Sequence, residues 1–209
     1  MEGIFEKSFL DNFEGEVETT LLHRSVYATD ASVYRELPTA ICYPKNTSDV
    51  QKLVAFAAKK GIGLIPRGGG TSLAGQCVGA GIVVDLSRHL NKILELNLAE
   101  KWVRVQVGMV RDELNYQLKE HHLFFGPNTS TANRCTLGGM FGNNSSGTSS
   151  IRYGTSRTKT LAAKVVLNNG HIQTFERGAT TYQHPEVERI ISNTLSLGKE
   201  EELKNALNE

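Results

Sequence analysis

The stretch PRGGGTSLAGQC (66–77) contains three successive glycines followed by two hydroxyl side chains, Thr71 and Ser72. It overlaps the end of a short apolar run, GLIP (63–66), which is typical of a buried strand. A glycine-rich turn after a strand leaves several backbone N–H groups unpaired and pointing in one direction, and such a nest binds anions. We therefore expect the loop to bind a phosphate or pyrophosphate group, with the two hydroxyls as further donors.

Two familiar phosphate-binding patterns do not fit this loop. The spacing from Gly70 to Gly75 is that of a P-loop, but Gln76 and Cys77 stand where a lysine and a Ser/Thr are required. Counted from Gly68, the third glycine of a Rossmann motif is replaced by Leu73. The pattern disfavours nucleotide hydrolysis and favours a pyrophosphate that stays intact, as in a dinucleotide; a simple turn is the alternative.

A second unusual segment, 125–155, is rich in Gly, Asn, Ser and Thr and long for a loop in a compact domain. Its short polar side chains among glycines suit a flat polar heterocycle held mostly by backbone contacts. The alternative is a disordered linker. Against that alternative, the segment also carries apolar anchors: Leu137, Met140, Phe141 and Ile151.

The remaining sequence predicts alternating helices and strands. TSDVQKLVAFAAKK (47–60) predicts a helix with Val50, Leu53, Val54 and Ala57 on one face, a Ser48/Gln51 capping box and Gly61 as its end. Further strands are predicted at GIVVDLS (81–87), ILELN (93–97) and WVRVQVG (102–108), a helix at 110–122, a hairpin around Asn169-Gly170 over 161–175, and a helix from about 184.

Composition excludes several classes of protein. The net charge of +1 gives no basic field for nucleic acid, and no stretch reaches the roughly 18 apolar residues of a membrane span.

Three widely separated cysteines, Cys42, Cys77 and Cys135, argue against a disulfide framework and for a reducing compartment. The N-terminus lacks the basic and apolar regions of a signal peptide, so we expect a cytoplasmic protein. Histidines and cysteines show no metal-ligand spacing, and we predict no metal site.

Four ordered motifs together resemble the FAD-binding domain of FAD-linked oxidases, of the vanillyl-alcohol-oxidase and p-cresol-methylhydroxylase (PCMH) type. They are PRGGGTSLAGQ, GIVVDLSRHLNKI, FGPNTSTANRCTLGGMFGNNSSG and RYGTSRTKTLAAKVVLNNG, and the resemblance covers about residues 30–175. The branch they resemble most contains D-lactate dehydrogenase and the flavin-binding component of glycolate oxidase. The resemblance implies an α+β fold of two α/β subdomains, with a small mixed sheet followed by a larger, mainly antiparallel sheet with flanking helices.

On this pattern we divide the chain into a lead-in at 1–29, an FAD-binding domain at 30–175 with subdomains at about 30–90 and 91–175, and a helical tail at 176–209. The resemblance places FAD between the subdomains. It implies that the cofactor is bound by Pro66, Arg67, Gly68, Gly69, Gly70, Thr71, Ser72, Pro127, Thr136, Gly138, Gly139, Asn144, Ser146 and Gly147.

Two departures from the family pattern bear on the cofactor. Some relatives tether the flavin through a histidine just after the glycines, but this chain has Thr71, so we predict non-covalent FAD. Many relatives carry Gly-Gly where this chain has Ser146-Gly147, which narrows the space at that point. Arg152 and Tyr153 either contact the flavin or pack within the protein, and the sequence leaves both interpretations open.

The resemblance also implies an activity, that of a flavoprotein oxidoreductase. The intact enzyme would oxidise a small 2-hydroxy acid, of the D-lactate or glycolate type, by hydride transfer to FAD, and would pass the electrons to an acceptor such as an iron–sulfur domain or subunit. Family members carry their catalytic residues in a later cap domain, so we expect this chain to be an N-terminal portion that could associate with a membrane only through a partner. The alternative is a non-catalytic module that binds a flavin or nucleotide.

Overall fold

A computed structural model describes residues 4–179, 181–182, 184–197 and 205. The strands are β1 (Glu16–Glu18), β2 (Ala40–Tyr43), β3 (Leu64–Arg67), β4 (Ile82–Asp85), β5 (Ile93–Asn97), β6 (Trp102–Val105), β7 (Ala162–Val166) and β8 (Ile172–Glu176). The helices are α1 (Lys7–Asn12), α2 (Leu21–Val26), α3 (Thr47–Lys60), α4 (Arg111–Leu118), α5 (Leu137–Gly142), α6 (Ser150–Tyr153), α7 (Ser156–Lys159) and α8 (Pro185–Leu197). A short 3₁₀ helix, Lys119–His121, follows α4.

The chain divides into two compact units. The first comprises Met1–Thr160 and Lys164–Gln173 and contains every residue of the predicted cofactor site. The second comprises Leu161–Ala163 and Thr174–Glu209. Within the second unit, α8 buries Val187, and the ring of Tyr182 lies 5.3 Å from that of Phe175. The predicted helical tail is thus present over α8, whereas most of 198–209 lies outside the described residues.

The first sheet has the strand order β1-β2-β4-β3 and is mixed, as predicted for the first part of the fold. β1 pairs antiparallel with β2, and the pairs β2–β4 and β3–β4 are parallel. Both inner strands, β2 and β4, are buried at every position, which is typical of parallel strands covered on both faces. Strand β2 was not predicted, although AICY (40–43) is a continuous apolar run like those at GLIP and GIVV, which were predicted as strands.

One face of this sheet packs against α3 and the N-terminal segment. Ala40, Cys42, Ile82 and Val84 form a core with Leu53 and Phe56 from α3 and with Phe5 and Phe13. Rings of Phe5 and Phe56 stack with centroids 4.9 Å apart. The predicted lead-in therefore contributes to the core of the first unit, because its phenylalanines cover the sheet where α3 leaves space. The predicted domain boundaries at 29/30 and 90/91 stay predictions.

Helix α3 confirms the predicted segment but differs in its start and its buried face. Its N-cap is Asn46, whose side chain accepts the Asp49 amide at 2.9 Å, so the predicted Ser48 capping box is wrong. The buried positions are Asp49, Leu53, Phe56 and Ala57. Gly61 ends the helix in the left-handed conformation (φ 65°), as predicted. The buried face is rotated because the Asp49 carboxylate points inward, accepting the amides of Glu14 (3.1 Å) and Lys45 (3.0 Å).

The second half of the fold differs from the larger sheet that we predicted. Among the described residues, β5–β6 and β7–β8 form two separate two-stranded sheets. The apolar face of β5–β6 is covered by Met109, Leu114 and Leu118, which are almost fully buried on and next to α4. Because a helix covers this face, the hairpin does not need further strands to bury its apolar side chains. The α+β class and the predicted hairpin at 161–175 are confirmed.

The Gly/Asn/Ser/Thr-rich segment is ordered and contains the short helices α5 and α6, and α7 follows directly after it. Its backbone groups are paired by local hydrogen bonds. The Ser145 amide, for example, donates to the Met140 carbonyl (2.8 Å), and the Tyr153 amide donates to the Ser149 carbonyl (2.9 Å). The disordered-linker alternative is therefore wrong. Helical periodicity cannot be recognised in this segment because each helix has only four to six residues.

Candidate cofactor site

The loop at 68–72 begins where the edge strand β3 ends, next to the carboxyl end of β4. Within the described part of the chain, none of the amide N–H groups of residues 68–72 has a hydrogen-bond acceptor. Gly70 adopts the left-handed conformation, with φ of 64°. Unpaired amides around a left-handed residue are the backbone groups from which anion-binding nests are built, and they lie at the end of a strand, where α/β sheets bind ligands.

Gly68 and Gly69 are required for contact between two segments of the protein. A Cβ on Gly68 would overlap the Thr136 hydroxyl, and a Cβ on Gly69 would overlap the Arg134 carbonyl. On the side where a Cβ would stand, the space at these two glycines is filled by the chain itself. The ligand-facing groups that remain are the amides, and the two predicted binding segments lie in direct contact.

The side chains in and next to this loop differ in their hydrogen-bond partners. Ser72 Oγ accepts the amides of Ala74 (3.3 Å) and Gln76 (3.2 Å), which fixes the turn that follows. Arg67 Nη1 donates to the carbonyls of Thr29 (2.9 Å) and Cys77 (3.4 Å). Pro66 lies exposed in β3. The hydroxyl of Thr71 has no partner among the described residues, so it is the loop side chain most available to a ligand.

Asp85 is the last residue of β4, and each of its two carboxylate oxygens accepts hydrogen bonds from a different residue. One carboxylate oxygen accepts the Ser87 amide (2.8 Å) and hydroxyl (2.6 Å). The other oxygen accepts the hydroxyl of Tyr27 at 2.6 Å. Burial, with the neighbouring carboxylate of Asp85, raises the pKa of Tyr27 far above 10, so the phenol stays protonated and donates. No sequence pattern indicates Tyr27, which is brought to β4 from a distant loop.

Asp30 links the loop that contains Tyr27 to the turn that follows the glycines. Its carboxylate accepts the Ser32 amide at 2.8 Å and lies 3.5 Å from the Cys77 thiol. Burial opposes ionisation, but hydrogen bonds from Ser32, Cys77 and Ser72 lower the pKa of Asp30 below 3.8. Burial raises the pKa of the Cys77 thiol, which therefore remains protonated. Cys42, Cys77 and Cys135 are all buried free thiols, in agreement with the absence of a disulfide framework.

The second binding segment starts at Thr136, the N-cap of α5, whose buried side chain accepts the Gly139 amide at 3.3 Å. The amides of Leu137 and Gly138 donate to the carbonyls of Met109 and Val107, both at 2.8 Å. A Cβ on Gly138 would lie 2.7 Å from the Val107 side chain. Thr136, Gly138 and Gly139 therefore attach the second segment to the region after β6 and to the glycine loop.

The end of the second segment packs against Pro127 and Asn128. Pro127 is fully buried, and its carbonyl accepts Arg111 Nε at 3.2 Å. Gly147 lies so close to the Asn128 carbonyl that a Cβ would overlap it. Asn144 and Ser146 are exposed; the Asn144 side-chain oxygen accepts the Arg157 amide at 3.0 Å. Pro127 and Gly147 thus shape the segment, and Asn144 and Ser146 lie on its surface.

Tyr153 packs within the protein. Its ring meets that of Phe124 edge to face at 5.2 Å, and its Cβ lies next to Gly126. Arg152 is exposed and lies 5.3 Å from the Tyr153 ring. Packing is therefore observed for Tyr153, and a flavin contact of Arg152 stays a prediction.

The residues present fit a dinucleotide such as FAD. The 68–72 amides and the Thr71 hydroxyl supply donors for a diphosphate, and the second segment lies against them with polar groups on its surface. In the described ranges, no group of three or more His, Cys, Asp or Glu side chains is placed to hold a metal ion. None of the helices within the described residues is long and apolar enough to cross a membrane.

Comparison with solved structures supports this fold. An alkyldihydroxyacetonephosphate synthase superimposes with a TM-score of 0.73 and 24% identity, over 88% of this chain and 37% of the synthase. At that identity the likeness concerns the fold alone.

Sequence relatives extend the comparison. D-2-hydroxyglutarate dehydrogenase of Haemophilus influenzae is 48% identical over 164 residues, which cover 77% of this chain and 16% of the relative. The glycolate oxidase component GlcD of Bacillus subtilis is 32% identical over 151 residues, covering 71% of this chain and 32% of the relative. The chain thus spans about a sixth to a third of the length of these relatives (16% and 32%).

A family profile described as an FAD binding domain matches residues 38–176, which contain both binding segments. The match confirms the predicted family and FAD as its cofactor. By this match and by the site geometry, the chain belongs to the FAD binding domain family.

Proposed function

We propose that this chain is the FAD-binding portion of a flavin-dependent dehydrogenase or oxidase that oxidises a small 2-hydroxy acid and binds FAD non-covalently. The observation that carries the proposal is the nest at 68–72, with amides that have no acceptor in the described chain. Unpaired amides at the end of a buried sheet stay available only if a ligand or water satisfies them. A diphosphate satisfies several at once and gains charge-assisted hydrogen bonds.

Each segment has a distinct part in holding the cofactor. The nest and Thr71 bind the diphosphate, whereas Asn144 and Ser146 offer polar groups along the exposed surface of the second segment. Non-covalent binding is supported by Thr71, which has no atom able to attack the flavin ring in the manner of a histidine. All fourteen predicted cofactor residues remain assigned to the site, with Arg67, Ser72, Pro127 and Gly147 shaping it rather than presenting free donors.

The substrate class is proposed from the relatives. FAD, when bound, would accept the hydride from C2 of the hydroxy acid, and the acid becomes a 2-oxo acid once its hydroxyl proton has passed to a general base. D-2-hydroxyglutarate is the first substrate to test, because the Haemophilus influenzae relative named for it is 48% identical in the matched region. D-lactate and glycolate are the next candidates. An iron–sulfur domain or subunit is the proposed electron acceptor, in a cytoplasmic setting that suits three free thiols.

Cofactor binding is tested with the purified chain. FAD titration should quench flavin fluorescence and produce the visible absorption band of a bound flavin. Acid precipitation should then release all of the flavin into the supernatant. Flavin retained in the pellet would contradict non-covalent binding, and a chain that never acquires a flavin band would contradict the proposal itself.

The activity is tested on the enzyme of which we propose this chain to be a portion, because the catalytic residues are expected outside the chain. D-2-hydroxyglutarate, D-lactate or glycolate is added without oxygen, with L-lactate as the control. Bleaching of the flavin band by one of the three acids supports the dehydrogenase. The second candidate function is a non-catalytic flavin-binding module, and tight FAD binding in a protein that none of the acids bleaches would support that module.

A further inference from the structure

The Arg67 side chain packs against Gly70 of the glycine loop. Nη2 stands 2.5 Å from the position that a Cβ on Gly70 would take, so the guanidinium occupies the space left by the left-handed glycine. Nη1 donates to the carbonyl of Thr29 at 2.9 Å and, more weakly, to that of Cys77 at 3.4 Å. Arg67 thereby ties together the nest, the 27–30 loop and the turn that follows the glycines.

Tyr27 holds the guanidinium in this place. Arg67 Cζ lies 5.1 Å from the centroid of the Tyr27 ring, a cation–π distance. The Tyr27 hydroxyl donates to Asp85 at 2.6 Å. Arg67 and Asp85 are directly opposite each other in the parallel pairing of β3 and β4. A single tyrosine therefore bridges the last residues of both strands, and its ring orientation is fixed by a carboxylate that is only 6% exposed.

From this arrangement we propose that Arg67 is a positioning residue for the diphosphate of the cofactor, and that Tyr27 sets its position without touching the cofactor. This inference rests on the proposed function. The planar guanidinium fills the space under Gly70 and keeps the amides aligned, while its charge adds to the positive field of the nest. The family pattern marks Arg67 as part of the loop but gives Tyr27 no role.

The test measures FAD affinity of the purified chain by flavin fluorescence quenching. We expect Arg67→Met to weaken FAD binding about 10- to 30-fold and Tyr27→Leu about 10-fold, the range of a partly desolvated cation–π contact. Tyr27→Phe, which keeps the ring but loses the bond to Asp85, should weaken binding less than about 3-fold. Arg67→Lys should lie between wild type and Arg67→Met, since a lysine keeps the charge but not the planar stacking.

A double variant separates positioning from direct binding. If Tyr27 acts through Arg67, the combined Arg67→Met/Tyr27→Leu variant binds FAD about as weakly as Arg67→Met alone. Losses that multiply would overturn the inference, and so would a folded Tyr27→Leu variant with wild-type affinity. Should Tyr27→Leu fail to fold, Arg67→Lys decides the question, because wild-type affinity in that variant would show that charge alone suffices.

Riboflavin, which lacks the diphosphate, provides the control ligand. Its affinity should be the same in wild type and in every variant, because Arg67 acts on the diphosphate-binding amides. An equal loss of riboflavin and FAD binding would indicate general damage and overturn the positioning role. Failure of the wild-type chain to bind FAD would instead contradict the proposed function, so the two failures are distinguishable.

Discussion

The two glycine-rich segments have similar composition but use their backbones in opposite ways. The 68–72 amides have no acceptor among the described residues, whereas 137–147 directs most of its amides to protein oxygens, as in the bond from Gly147 to the Ser150 hydroxyl at 2.7 Å. The amides of the first segment are therefore available as donors, whereas those of the second segment are used within the protein, next to the glycine loop. Glycine content alone does not distinguish a binding loop from a packing loop; the destination of each N–H does.

The largest effect is expected where the second segment packs most tightly. Gly147→Ala places a Cβ on the Asn128 carbonyl, and we expect a loss of roughly 2–3 kcal/mol in the free energy of unfolding. Gly142→Ala is the matched control, since nothing lies within 4 Å of its Cβ position and alanine favours a helix. Urea denaturation of the two variants measures the difference. Equal stability of both would show that the second segment yields easily and is not a rigid wall.

The contact between the segments is tested by Gly69→Ala. The added Cβ would displace the Arg134 carbonyl and so change the orientation of the amides in the 68–72 loop. We expect FAD affinity to fall roughly 10- to 100-fold, the cost of one or two charge-assisted hydrogen bonds, measured by fluorescence titration. Gly63→Ala, with open space around its Cβ position, should bind FAD like wild type. Unchanged binding in Gly69→Ala would mean that the loop does not depend on the second segment for its shape.

A pair of threonine variants separates ligand binding from packing. Thr136→Val removes the N-cap acceptor of the Gly139 amide and should cost about 1 kcal/mol of stability. Thr71→Val removes a hydroxyl without a described protein partner, so stability should stay the same while FAD binds about 10-fold more weakly. Thermal unfolding of the FAD-free chain and FAD titration are measured on both. A Thr71→Val variant that loses stability but not affinity would reverse the assignment of the two segments.

The smallest effect concerns the pH dependence of the turn after the glycines. Because the pKa of Asp30 is lowered in the folded chain, its ionised form stabilises the protein above pH 3.8, and this contribution is lost as the pH falls through the folded pKa. Asp30→Asn should therefore be less stable than wild type near pH 6, with the difference shrinking as the solution is acidified towards about pH 3. Melting temperatures across this range provide the measurement. A difference that grew on acidification would contradict the hydrogen-bonded carboxylate.

Much of the fold could be predicted from local patterns. The helical spacing of apolar residues in 47–60 indicated α3, and the alternation of apolar and polar residues indicated β5 and β6. The Asn169-Gly170 turn indicated the β7–β8 hairpin. Strand β2 was not predicted, although its continuous apolar run resembles that of β4, and the three short helices between 137 and 159 were not predicted either. A helix of four to six residues is too short to show a periodic signal and is stabilised by tertiary contacts.

By itself, the sequence indicated the glycine loop and the polar segment, because a glycine run after a strand is a local feature of the chain. The family and FAD followed from the resemblance of four ordered motifs, and the family profile confirms both. Only the tertiary structure decided what each glycine faces, that Thr136 and Arg134 close on the loop, and that Tyr27 stands behind Arg67. These contacts join residues far apart in the chain. Their identity follows from how the strands and loops are placed in space, which no short stretch of sequence specifies.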